Sequence, residues 1–401
     1  MKIIKRMIPE VLKEKIRNQI QLLNMPADSK QVVKRNKKGL FIQDPGIDIC
    51  VEKALGWILN AQENSKTFDG GVARYFSLIS GWDASYPETT GYIIPTMINC
   101  GKYYQRDDLI ESARKMLDWC EKIQLECGAF QGGTIIHEPV VPVTFNTGQI
   151  LIGLSTGFKY FKSYEKSMHK AAAWLVDTLD DDGCWRKYPT PFAKYGEKAY
   201  ETHVSWGLFE ASKVSGKETY ALAGLRNVDW ALTKQHDNGW FSDCCLDMPD
   251  MPLTHTLGYV LRGILEAYKY SDKAIYLEKA MLTADALLDC INSNGYLPGR
   301  FNPDWSTTVN WSCLTGTVQI ALCWMIIYQE IGEQKYLNAA KLANRYVRKT
   351  MVTNGAVGIE GGIQGSFPVY GGYGEHRYLN WAAKFFIDSN LMEQSLIDSS
   401  L

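Results

Sequence analysis

The feature that most constrains this chain is a repeat of about 56 residues. Glycines, most of them after Asp or Asn, recur at Gly70, Gly128, Gly183, Gly239, Gly295 and Gly355, at intervals of 58, 55, 56, 56 and 60. A large aromatic stands nine residues ahead of four of them: Trp119, Trp174, Trp230 and Tyr346. Ala286 takes that place in the fifth unit, and in the first Trp57 stands thirteen residues ahead. A second ladder, Gly91, Gly148, Gly207, Gly258 and Gly316, keeps step with the first, and each member opens an apolar, helix-like run. A sixth run, near Tyr378 to Trp381, lacks the glycine. A fixed period of this length is the mark of stacked supersecondary units.

Each unit then holds two helices. One is amphipathic and ends at the first-ladder glycine, which can take a positive φ and stop a helix. The other is apolar nearly all round, as a buried helix is. Six such pairs close most simply into an all-α (α/α)6 toroid, a double ring with charged helices outside and apolar helices inside. The first outer helix is expected at 48–63 and the first inner helix at 90–104.

Residues 1–45 fall outside the repeat and carry eleven Lys and Arg against four Asp and Glu, about +7 where the rest is about -8. We expect a basic extension there, with a leading helix over 8–24 and a basic linker over 30–38. It would cap the ring or meet an acidic partner or an anionic membrane surface. The toroid is expected over 46–390, with a polar tail over 391–401.

Composition narrows the function. With 46% hydrophobic and 22% charged residues the chain is globular, and no apolar run is long enough to span a bilayer. A net charge of -1 makes no case for nucleic acid. Ten cysteines without a Cys-x-x-Cys pair, and a charged start without an apolar core, fit reduced thiols in a cytoplasmic protein.

Every outer-to-inner loop must emerge on one rim, where six helix N-termini favour an anionic or hydroxyl-rich ligand. Unusual residues collect in those loops. The first holds Arg74, Tyr86 and Glu88, the second His137 and Asn146, the third Tyr200, Glu201 and His203. The fourth holds Trp240 and His255, the fifth Arg300 and Trp305, and the last Glu360, Tyr370, Tyr373, Glu375, His376 and Arg377. Aromatic rings stack on sugars, while Arg, Asn and carboxylates bind hydroxyls and carboxylates. Tyr86, His137, Asn146, Trp240, Arg300, Trp305, Glu360, Tyr373, His376 and Arg377 are therefore candidates for substrate binding. Trp82 and Trp185 suit packing instead.

Glycosidic cleavage uses two carboxyl groups. Glu88, three residues before an inner helix, pairs in this reading with Glu201 or Glu375 as acid and base, although an anion there also caps the helix. Proton abstraction beside a uronate carboxylate, the chemistry of lyases and C5-epimerases, would use His203, His255 and Tyr370. No cofactor is required. Cys244, Cys245 and His255 lack the spacing of a zinc site, and the glycines of 355–374 lack the Lys and Ser/Thr of a phosphate loop.

With six units in hand, the chain resembles the six-hairpin toroids of glycosidases, polysaccharide lyases, epimerases and terpenoid cyclases. Gln235-His-Asp-Asn-Gly239-Trp240 is similar to the repeat signature of squalene cyclases and prenyltransferases, and Gln62 and Gln124 stand at similar places. No Asp-x-Asp-Asp acid stands in an inner loop. Tyr86-Pro-Glu-Thr-Thr-Gly91 resembles a stretch in toroid proteins linked to bacterial surface polysaccharides. The rim residues and the fold together lead to the expectation of a carbohydrate-active enzyme that acts on an oligo- or polysaccharide, anionic and uronate-containing, by hydrolysis with paired carboxylates. Lyase or epimerase activity, glycan binding without catalysis, and terpenoid cyclisation are its alternatives.

Overall fold

The computed structural model describes residues 20, 23–193 and 196–398. The leading helix expected over 8–24 lies almost wholly outside them. Thirteen named helices follow. After α1 (Ala27–Asn36) come six outer helices: α2 (Ile47–Glu63), α4 (Asp107–Ile123), α6 (Glu165–Asp177), α8 (Glu218–Leu232), α10 (Ala274–Cys290) and α12 (Gln334–Arg348). They alternate with six inner ones: α3 (Pro87–Tyr104), α5 (Thr144–Phe161), α7 (Thr202–Ser215), α9 (Thr254–Ser271), α11 (Leu314–Ile331) and α13 (Asn380–Asp398). Each inner helix packs on the next, and α13 packs on α3 and α2, so the ring is closed. This is the (α/α)6 toroid.

The two helix classes differ as their sequences require. In α11 every residue from Leu314 to Ile327 is buried. In α4 the buried apolar residues Leu109, Ala113, Met116, Leu117, Trp119 and Cys120 lie on one side, the spacing of a helix packed on one face.

The first glycine ladder proves to be an interlock between units. Gly128 and Gly239 take φ of 96° and 82°, and a Cβ on either would lie 2.6 Å from a backbone oxygen of the next outer helix, Lys170 and Leu282 respectively. Each outer helix stops several residues before its glycine, so the glycine does not end the helix as expected. It turns the chain against its neighbour. Gln62 and Gln124 add staples: each side-chain amide donates to the carbonyl of its own glycine, Gly70 or Gly128, and to one on the next outer helix, Ser112 or Ser167. In the sixth unit this place belongs to Gly361 rather than Gly355, for Gly361 has φ of 75° and abuts the Lys53 carbonyl on α2. The second ladder lets inner helices touch. A Cβ on Gly207 would lie 2.5 Å from the Gly148 carbonyl oxygen.

Connections at the two ends differ sharply. Inner-to-outer turns are two or three residues long, whereas outer-to-inner loops run to twenty or more. The long loops cover the N-terminal end of the inner ring. There strand β1 (Tyr75–Ser77) pairs antiparallel with β2 (Gly81–Trp82) and with β5 (Arg377–Leu379), tying the first loop to the last. A second small sheet joins β3 (Ser312–Cys313) to β4 (Ser366–Phe367).

Two expected boundaries shift. Residues 27–36 form α1 and not a linker, because Met25, Val32 and Val33 are buried against the ring and Asn36 accepts the Val369 N–H at 2.7 Å. Residues 391–398 complete α13 instead of trailing, because Glu393 is buried and receives Arg348 and Asn344. Among the described residues no helix is long and apolar enough to cross a membrane.

Candidate active site

The covered end of the ring encloses a cavity of about 140 Å³. Its wall is largely aromatic: Tyr86, Phe145, Phe192, Tyr200, Tyr259, Tyr373 and Trp381, with Arg74, Glu88, Thr190, Leu246, His255 and Thr256 among them. Among the described residues Glu88 is the one carboxylate in the lining.

Local sequence explains where Glu88 stands. Pro87 opens α3, and Tyr86 is the residue before it. Glu88 thus falls in the first turn, at the positive end of the helix dipole. The Tyr86 hydroxyl donates to its Oε2 at 2.8 Å. Burial drives the Glu88 carboxyl up to about 7, against the opposing pull of that hydrogen bond and of Arg74. A carboxyl there exchanges its proton near neutral pH.

Arg74 forms no ion pair among the described residues. Its guanidinium lies 4.9 Å over the Tyr86 ring and 4.8 Å over Phe192, and its buried Nε has no hydrogen-bond partner. A cation lying over aromatic rings with a donor unspent can receive a carboxylate.

His255, in the first turn of α9, bonds through Nδ1 to the Gln319 Oε1 at 2.8 Å. With that oxygen as acceptor, Nδ1 carries the proton and Nε2 keeps its lone pair. Burial lowers the imidazole to about 4, so it is neutral at pH 7. The hydroxyls of Tyr86, Tyr259 and Tyr373 are pushed up by burial and stay protonated. Tyr373 accepts the Trp381 indole N–H at 2.9 Å, which frees its own proton for a ligand.

Four of the candidates from sequence meet in this cavity: Tyr86, Glu88, His255 and Tyr373. The remainder do not line it, for identifiable reasons. Glu201 follows the lining residue Tyr200 within a 3-10 turn, and its side chain is buried with Oε2 unpartnered. His203 is fully buried, bonded through Nδ1 to Gln149. Tyr370 and Glu375 are exposed. His376 is buried beside Glu375, and Arg377 lies over the Tyr75 ring. His137 packs outside Phe192, and Asn146 donates to the Gln131 carbonyl. Trp240 is buried against His236. Arg300 is consumed by a bidentate pair with Asp247 and the Met251 carbonyl. Trp305 donates to the Asn238 carbonyl, and Glu360 pairs with Lys53 on the outer ring. Trp82 and Trp185 pack as expected, the first against Trp57 and the second through a bond to the Leu175 carbonyl.

Tyr259 and Trp381 were not singled out by sequence. The signal for Tyr259 is its place one helical turn after His255, which brings the two rings to 4.4 Å at a tilt of 51°.

The buried acid Glu201 makes a prediction of its own. Burial raises its carboxyl to about 8. A raised acid contributes stability that is full below its unfolded value of about 4.5 and is lost as pH rises through the folded one. Glu201→Gln should therefore raise the melting temperature at pH 9 and leave it nearly unchanged at pH 4. An equal shift at both pH values would contradict the buried, proton-bound acid.

In sequence the chain matches no family model and no curated protein. In structure it is similar to an unsaturated glucuronyl hydrolase specific for heparin, with a TM-score of 0.68 at 12% identity, covering 89% of this chain and 99% of that one. It is similar also to cellobiose 2-epimerase from Bacillus thermoamylovorans (TM-score 0.66, 11% identity, 87% and 98% covered). A D-mannose isomerase gives a TM-score of 0.67 at 12% identity over 87% and 97%. At these identities the likeness establishes the toroid.

Proposed function

We propose that this toroid is a carbohydrate-active enzyme that moves a proton at a carbon of an anionic sugar unit, the chemistry of a uronate epimerase or lyase. The observation that carries this reading is the pairing of one carboxyl poised near pH 7 with one neutral imidazole in the same aromatic cavity. Glu88 stands on the first inner helix and His255 on the fourth, and in a ring of six these lie opposite each other. A sugar ring between them presents one face to each group. His255, whose Nε2 is unprotonated, removes the hydrogen beside the carboxylate, and the protonated Glu88 returns a proton from the far face. Arg74 holds the carboxylate and neutralises charge as it spreads into the enolate. If a substituent departs from the neighbouring carbon before the proton returns, the same machinery performs elimination.

Hydrolysis with paired carboxylates loses support because neither Glu201 nor Glu375 lines the cavity with Glu88. A one-acid hydrolysis is the second reading. Glu88 is protonated in part at neutral pH, and several similar structures bear the name unsaturated glucuronyl hydrolase. Terpenoid cyclisation asks for an apolar, aromatic-lined cavity, and here Arg74, Glu88 and His255 interrupt the aromatic wall.

The test is incubation with defined uronate oligosaccharides in D2O, read by mass spectrometry and NMR. Epimerisation adds one deuteron to an uncleaved chain, and elimination gives fragments without added water. Gain of the mass of water signals the hydrolytic reading. Absence of isotope exchange and of cleavage on every uronate tested would remove the proton-transfer reading.

A further inference from the structure

Among the described residues, only turns of two or three residues stand at the end of the inner ring away from the candidate active site. A second cavity of about 550 Å³ opens there between the last turns of α3, α5, α7 and α9. Each helix sends a cation into it: Lys102 from α3, Lys159 from α5, Lys213 from α7, and Arg262 with Lys269 from α9. Two carboxylates answer them. Glu210 takes Lys213 at 2.8 Å and Glu266 takes Arg262 at 2.7 Å. Lys102, Lys159 and Lys269 have no carboxylate within ion-pair distance among the described residues.

A cation near a helix C-terminus also complements the helix dipole. That role asks nothing of neighbouring helices, yet here four consecutive helices aim their cations into one shared space. The wall is built to match. The Arg262 guanidinium lies 4.1 Å over the Trp206 ring and pairs with Glu266 through Nε, which leaves its terminal nitrogens unspent. The Ser155 hydroxyl lines the cavity, is only 1% exposed and has no hydrogen-bond partner. A buried hydroxyl without a partner is a cost the fold carries unless something else supplies the bond.

We infer that this cavity is a second ligand site, one that binds a phosphate-bearing small molecule through Lys102, Lys159, Lys269 and Ser155. A single carboxylate would answer one of the three lysines. A diphosphate group offers several charged oxygens to ammonium groups arriving from different helices and an acceptor to the serine. Trp206 gives a flat apolar surface beside it. The inference is independent of the chemistry assigned to the other end.

Isothermal titration of the full chain with inorganic phosphate, pyrophosphate and uridine diphosphate tests it. Pyrophosphate should bind, more weakly as salt rises. The combined Lys102→Met, Lys159→Met and Lys269→Met substitutions should weaken it by roughly tenfold or more. Because these lysines are exposed, the variant should fold, and Lys159→Glu alone gives the same direction. Arg74→Met should leave binding unchanged. Uridine diphosphate binding no tighter than pyrophosphate identifies the phosphates as the recognised part, and tighter binding adds the base. The inference falls if pyrophosphate binds the triple variant as it binds wild type, or if Arg74→Met abolishes binding. It falls equally if sulfate at matched ionic strength gives the same signal.

Discussion

Glu88→Gln should lower turnover by about 10²–10⁴-fold, the range expected when a positioned acid–base group is removed. The chain should still fold. Glu88 has a folded pKa of about 7, so its contribution to stability is full below the unfolded value and is lost as pH rises through about 7. Glutamine imitates the protonated acid, so above pH 7 the variant should melt no lower than wild type. Lost activity with unchanged or raised melting temperature separates a catalytic role from a structural one. The pH profile adds a second measure. Glu88 acts as the proton donor, so activity should fall as pH rises through about 7. Tyr86→Phe removes a bond that holds the carboxyl down, so that limb should move to higher pH. A limb that stays in place would assign the titration to another group. Activity within a few-fold of wild type in Glu88→Gln would end the proposal for this residue.

Arg348→Met should destabilise the protein by about 3–5 kcal/mol, the cost of breaking a buried ion pair by removing one partner. Arg348 is almost fully buried at the end of α12, where it donates to Asp44, Asn390 and Glu393. The arginine locks the approach to α2, the last outer helix and the last inner helix together. Its loss leaves Glu393 buried beside an apolar chain. Equilibrium denaturation measures the cost, and a change below about 1 kcal/mol would refute the network's role. The Asp44 carboxyl is desolvated, which alone would raise it, but the hydrogen bond from Arg348 holds it below its ordinary value. A lowered acid contributes stability above its unfolded pKa and loses it as pH falls through the folded one. The gap between wild type and Arg348→Met should therefore narrow in acid.

The same contrast of local and distant partners explains what could be read from the chain alone. The two glycine ladders revealed the ring because all of these glycines but Gly355 mark a close approach to a neighbouring unit, a demand that recurs around the ring and so leaves a period. Even there Gly355 was mistaken for Gly361. Both lie in a glycine-rich loop, and only the Lys53 carbonyl of the first outer helix, three hundred residues away in sequence, tells them apart.

The candidate site was legible to the level of the rim and no further. Periodicity assigns a loop to one end of the ring, but it does not say which way a side chain in that loop turns. Tyr200 and Glu201 are neighbours, yet only the tyrosine lines the cavity. Arg300 and Arg74 are both rim arginines. Asp247 neutralises the first, while the second lies among aromatic rings without an ion-pair partner among the described residues. The sequence by itself determined the repeat, the double ring and the end at which the candidate site sits, because these follow from helix period and backbone contact. Tertiary structure decided which carboxylate is poised near neutral pH and which cations stay free, because desolvation and ion pairing depend on partners brought together only when the ring closes.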